Sequence, residues 1–221
     1  MFNNGGMLTG AEILKQVKKG NIKIDPFDEN QLNPNSYNLR LDSSLAIYSR
    51  GADRSEHIPI HCYDMADGEF KRITPDIAPE CPFAESYQLA PIDMKKDNEL
   101  IRFDIPKAGY VLRPRVLYLG RTKEHTFTDK YIPMINGRSS GGRLGISIHV
   151  CAGFGDIGFD GTWTLEITAV EPVIIYPDVE IAQICYFSPV GSKRMLYNGR
   201  YNKQVETTGS RFFKPKEEVY K

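Results

Sequence analysis

The sequence predicts a mainly β fold with a few short helices. Three observations predict it. Downstream of residue 36, stretch after stretch alternates apolar and polar residues at the two-residue period of a half-buried strand. Only one segment, near the N-terminus, carries a full helix-start signal. The chain has 221 residues, 41% of them hydrophobic and 25% charged, enough to bury a core without staples.

The helix comes first. Thr9 and Glu12 stand at capping-box spacing, and Leu8 and Ile13 at the spacing of a hydrophobic staple. Ile13, Leu14 and Val17 give the apolar face, and Gly20 is the stop. "SYNLRL" then alternates through Tyr37, Leu39 and Leu41, and "YVLRPRVLYLG" alternates on both sides of Pro114. "ISIHV" alternates through Ile146, Ile148 and Val150, and "TWTLEITAV" through Trp163, Leu165, Ile167 and Ala169. "IAQICYF" is almost continuously apolar, as in a strand buried on both faces. Residues 51–99 are rich in Pro, Asp and Glu and read as an irregular insertion in a single domain spanning 1–221. Residues 192–221 carry eight Lys or Arg against three Glu, so this tail is basic.

Formal net charge is zero, which argues against a general nucleic-acid binder. The four cysteines (Cys62, Cys81, Cys151 and Cys185) show no C-x-x-C spacing and read as buried free thiols. No run of eighteen apolar residues suggests a membrane span, and no secretory signal opens the chain, so the expected location is cytoplasmic.

"NGRSSGGRLG", residues 136–145, fits several motifs at once. As the G-x-S-x-G elbow of a hydrolase it needs an acid and then a histidine downstream. Only His149 follows the serines, and no Asp or Glu lies between Ser139 and His149. As a phosphate loop it has Arg143-Leu144 where Lys-[Ser/Thr] is required, and a strand pattern where a helix should follow. The segment alone is compatible with a plain turn or with an anion-binding one rich in free N–H groups.

Downstream lies "HVCAGFGDIGFDGTWTLEI", with Asp156, Asp160 and Glu166. The alternation puts Glu166 on the polar face of its strand with Thr162, Thr164 and Thr168. That face meets either water or a polar cleft. In the second case Glu166 is a candidate acid/base.

Taken together, "GRSSGGRLG", "HVCAGFGDIGFDG", "LEI", "YPDVEIAQICYF" and the tail "GRYNKQ…SR" resemble the dCTP deaminase branch of the trimeric dUTPase superfamily. The resemblance implies a dUTPase-like distorted jelly-roll β-barrel, assembled as a homotrimer with sites between subunits, and dCTP and dUTP as ligands. It implies that Ser139 and Arg143 hold the attacking water, that the Ala152 carbonyl receives the cytosine amino group, and that Glu166 shuttles protons. Arg138 and Ser140 would bind phosphates. Tyr197, Arg200 and Gln204 would close over the triphosphate from a flap spanning 192–221.

The implied chemistry is hydrolytic deamination to dUTP and ammonia. Cytosine C4 is a poor electrophile until its ring nitrogen is protonated, and water a poor nucleophile until a base takes its proton. One glutamate can serve both steps in turn. Zinc deaminases use the signature H-x-E…P-C-x-x-C, which is absent from the chain, so no zinc is expected. Mg²⁺ is expected only on the triphosphate.

Asp156 raises a further option, since the related dUTPases use a matching Asp to activate water against the α-phosphorus. The chain would then also hydrolyse dUTP to dUMP and pyrophosphate. The structural alternative is an Asp in the turn before Gly158. Gly141 and Gly155 depart from the family's usual Leu and Ile. A dUTPase without deaminase activity, or a non-catalytic nucleotide-binding protein on this fold, are the rival readings.

Overall fold

The structure, a computed structural model, describes residues 5–49, 63–64, 71–72, 91–191 and 195–214. Most of the 51–99 insertion lies outside the described residues. Helix α1 (Gly10–Lys18) forms where its caps predict. The Thr9 hydroxyl accepts the Glu12 amide at 3.3 Å, and Leu8 and Ile13 are both buried in the core. Only half of the capping box forms, because the Glu12 carboxylate accepts from Lys15 and Gln16 instead of reaching back to Thr9. At the other end Gly20 takes φ +73°. Its amide bonds to Val17 O at 2.9 Å and the Asn21 amide to Gln16 O at 3.0 Å, the paired bonds of a Schellman stop.

The strands are β1 (Lys23–Asp25), β2 (Tyr37–Tyr48), β3 (Tyr63–Asp64), β4 (Lys71–Arg72), β5 (Leu100–Asp104), β6 (Tyr110–Leu112), β7 (Tyr118–Phe127) and β8 (Ile132–Gly137). After a short helix α2 (Ser139–Arg143) come β9 (Ile146–Ser147), β10 (Asp160–Ala169), β11 (Val173–Ile175) and β12 (Glu180–Phe187). An eight-stranded sheet runs β8-β12-β2-β7-β10-β9, with β5 also on β2 and β1 also on β7. All its pairings are antiparallel. Strands β2 and β7 are long because each changes partners along its length. β2 pairs β12 through Tyr37–Arg40, then β7 and β5, with a register shift between Leu41 and Leu45. Such shifts bend a sheet around its core, and in this chain they give a nearly closed barrel.

The core lies inside that curve. Tyr37, Leu39, Leu41 and Leu45 of β2 are fully buried against Leu165 and Ile167 of β10 and Ile184 of β12. Each fully buried aliphatic side chain contributes about 1.5–3 kcal/mol. β12 is buried on both faces, as its continuous apolar run predicts.

Among the polar residues buried in this interior, one carries a carboxylate. Glu124 on β7 is completely buried. Its carboxylate accepts the Arg40 amide and the Arg40 Nε, both at 2.7 Å, and Gln31 Nε2 at 3.3 Å. The hydrogen bond to Glu124 holds the Arg40 guanidinium pKa above its ordinary value. Glu124→Ala would strand Arg40 with little compensation. We expect it to cost about 3 kcal/mol, read as a lower denaturation midpoint at matched protein concentration. An unchanged midpoint would show that this pair does not stabilise the barrel.

The structure corrects three expectations. Residues 136–145 do not form a plain turn, because α2 makes one helical turn after β8. "ISIHV" keeps strand geometry only at Ile146–Ser147, and Val150 is 66% exposed. Past Ser147 the chain leaves the regular ladder, although the Glu166 amide still bonds to Ile148 O at 2.9 Å. Of the cysteines described, Cys185 is buried but Cys151 is exposed. No helix among the described residues is long and apolar enough to cross a membrane.

Candidate active site

Glu166 is positioned by alternation on β10. Leu165 and Ile167 point into the core, which turns Glu166 to the opposite face. The pattern slips once, with a register shift between Thr162 and Thr164 where Trp163 sits. Glu166 is half-buried, and its Oε2 accepts the Val150 amide at 2.8 Å. That bond ties the carboxylate to the loop that carries Ala152.

The loop from His149 to Gly158 runs between β8 and β10. Gly153 O accepts the Ile135 amide at 2.8 Å, and the Gly155 amide bonds to Pro133 O at 2.9 Å. Gly155 also explains its own departure from the family pattern. A Cβ there would lie 2.3 Å from Trp163 Cη2 and 2.9 Å from Pro133 Cγ. The glycine makes room for the indole, whose Nε1 donates to Thr126 Oγ1 at 2.8 Å. At Gly141, by contrast, a Cβ would meet nothing within 4 Å among the described residues outside its own turn of helix. Asp156 begins the turn to Gly158 (φ +92°), and its carbonyl accepts the Phe159 amide.

These elements enclose a cavity of about 440 Å³. Ala152, Asp156 and Glu166 line it together with Phe159, Trp163 and Thr164. Tyr197 and Gln204 of the tail line it as well. Sequence reasoning missed Phe159, Trp163, Tyr48, Tyr201 and Thr208. The aromatic run in "GFDGTW" was a usable signal for the first two, whereas Tyr48 arrives from a distant strand without one.

Arg138, Ser139, Ser140, Arg143 and Arg200 stand outside the lining, and Gln204 is also tied to β10. Ser139, Ser140 and Arg143 are exposed on α2, outside the cavity. Arg138 is tied to Glu180, with Nη1 at 2.6 Å from its carboxylate and 3.0 Å from its carbonyl. Arg200 donates to Lys214 O at 2.6 Å and lies over the Phe212 ring. Gln204 Nε2 donates to Thr162 O at 2.8 Å, so one of its N–H groups holds the tail to β10. Among the described residues the lining therefore contains two carboxylates and no Lys or Arg. Among the described residues no three His, Cys, Asp or Glu stand close enough to hold a metal ion.

The dCTP deaminase-like family model matches this chain in two overlapping stretches, residues 7–76 and 63–188. The chain belongs to that family. It is 41% identical over 208 residues to a protein of Hathewaya histolytica named dCTP deaminase, dUMP-forming, covering 94% of this chain and 98% of that one. Relatives of the same name from Clostridium acetobutylicum (43% over 202 residues) and Leptospira biflexa (42% over 195) cover 90% and 88% of this chain, and 94% and 89% of their own. Among solved structures, the 2'-deoxycytidine 5'-triphosphate deaminase of Agrobacterium tumefaciens superposes with a TM-score of 0.53 at 20% identity. That match covers 85% of this chain but spans only 49% of the Agrobacterium chain. At that identity it supports the fold alone. The mostly β, barrel-like architecture is thus that of the dCTP deaminase family, a dUTPase-like fold.

Proposed function

We propose that this chain deaminates dCTP and carries the product on to dUMP. The observation that carries the reading is that Glu166, Ala152 and Asp156 line one cavity. The names of the relatives, dCTP deaminase, dUMP-forming, support the same reaction. In this reading Glu166 takes a proton from water and delivers protons to the ring nitrogen and the departing ammonia. Water oxygen forms the new bond to C4 as the C4–N bond breaks. The Ala152 carbonyl accepts the substrate amino group, and Ser139 and Arg143 hold the water. Asp156 then serves as base for a second water that attacks the α-phosphorus of dUTP, with pyrophosphate leaving. Mg²⁺ enters with the triphosphate, a hard cation on phosphate oxygens.

In this reading the site is shared between the subunits of a homotrimer. A triphosphate is a polyanion, and two carboxylates with no cation among the described lining residues suit it poorly. Arg138, Ser140 and Arg143 lie outside the cavity, as the site of a homotrimer would require if α2 of one subunit faced the cavity of the next. Leu144, Val150 and Val170 are 57%, 66% and 71% exposed near α2 and Glu166. Their apolar surface suits burial against a second copy.

Complementation tests this arrangement. Arg143→Ala and Glu166→Gln chains should each release no ammonia from dCTP. When dissociated and reassembled together they should recover activity, because some interfaces then pair an intact Arg143 with an intact Glu166. A mixture as inactive as its parts would rule out the shared site.

A further inference from the structure

The tail does more in this structure than present side chains to the cavity. Its residues 204–210 follow a turn at Tyr201–Lys203 and run along β10 without regular structure, and two faces of that run are held differently. On one face, Gln204 O accepts the Thr162 amide at 2.9 Å, and the Thr208 amide donates to Thr164 Oγ1 at 3.2 Å. On the other face, arginines of the barrel take the intervening carbonyls. Arg121 of β7 donates Nη1 to Val205 O at 2.6 Å, and Arg102 of β5 donates Nη2 to Thr207 O at 3.0 Å. Arg121 is itself braced, with Nη2 at 3.2 Å from Asp42 Oδ2 of β2. Both partners of that brace are largely buried, at 22% and 18% exposure. None of Arg102, Arg121 and Asp42 lines the active-site cavity.

Two glycines complete the seat. Gly161 (φ +156°) faces the tail so closely that a Cβ would lie 2.6 Å from Gln204 O. At Gly158 a Cβ would lie 2.9 Å from Leu196 Cβ and 3.1 Å from the Tyr197 amide. The "GFDG" segment is therefore shaped to receive the tail at both ends.

We infer that Arg121, braced by Asp42, and Arg102 are positioning residues that clamp the tail by its backbone carbonyls and thereby set affinity for the nucleotide. A charged donor on a neutral carbonyl makes a strong bond that reads no side chain, so the clamp fixes the path of the tail while Tyr197 and Gln204 face the cavity. The kinetic half of this inference rests on the proposed dCTP reaction. The structural half does not.

Arg121→Met, which keeps the apolar stem, should raise KM for dCTP by about tenfold and leave kcat within about twofold. Arg121→Lys should restore part of the loss, and Asp42→Asn should move KM in the same direction. In a chain truncated after Gly191, Arg121→Met should add nothing further to KM. A simple loss of barrel stability would still add its effect there. Tail accessibility is read separately. Trypsin should cut after Arg200 or Lys203 faster in the Arg121→Met protein than in wild type. Gly161→Ala, which leaves both arginines intact, should show the same acceleration. If the protein did not turn over dCTP, faster cleavage would still establish the clamp. Unchanged cleavage in both variants, or an undiminished Arg121→Met effect in the truncated chain, would overturn it.

Discussion

Glu166→Gln is expected to lower the rate of dCTP deamination by about 10³-fold or more while dCTP still binds. The substitution is nearly isosteric. A glutamine oxygen can still accept the Val150 amide that Glu166 Oε2 accepts at 2.8 Å, so the loop bearing Ala152 keeps its place. What is lost is a group that can take a proton from water and give it to a ring nitrogen. The split between binding and turnover distinguishes a chemical role from a structural one. Calorimetric titration should show near wild-type affinity, and an ammonia assay should show no turnover above background. If turnover persists, Glu166 is not the proton shuttle.

Asp156→Asn is expected to divide the reaction. dCTP should still be consumed at close to the wild-type rate, but dUTP should accumulate and pyrophosphate release should fall by about 10²-fold or more. The turn at Asp156 should survive, because it depends on the Asp156 carbonyl bonding to the Phe159 amide and on the positive φ of Gly158. Asparagine suits such turns as well as aspartate does. The Asp156 carboxylate makes no hydrogen bond or ion pair among the described residues, yet it borders the cavity that holds Glu166. Unaltered dUMP formation in Asp156→Asn would reduce this residue to its part in the turn.

Much of the fold was legible because it rests on local, periodic signals. The caps of α1 are read from Thr9 and Gly20, and the inward faces of β2 and β10 from alternation. Glu166 was assigned to the outward face of β10 by the same reasoning. Periodicity fails where the backbone leaves its regular period. Val150 continues the alternation of "ISIHV", but its amide is diverted to Glu166 and its side chain to the surface. The slip falls at Trp163, whose indole fills the space that Gly155 leaves, a contact that the alternation of β10 does not encode.

The site was legible in part for a related reason. Ala152, Asp156 and Glu166 fall within one short stretch of sequence, and their meeting follows from one loop and one strand. The serines and arginines of α2 stand off the cavity, and no pattern within the chain reveals what they face. The basic composition of the tail pointed to its cations. In the structure its carbonyls make the clamp contacts, with Arg102 and Arg121 far back in the chain.

Product analysis after incubation with dCTP and Mg²⁺ tests the assignment of this cavity most directly. Deamination at Glu166 followed by hydrolysis at Asp156 predicts ammonia, dUMP and pyrophosphate, with no lasting pool of dUTP. Recovery of dCTP unchanged would contradict the assignment of Glu166 and its cavity to deamination.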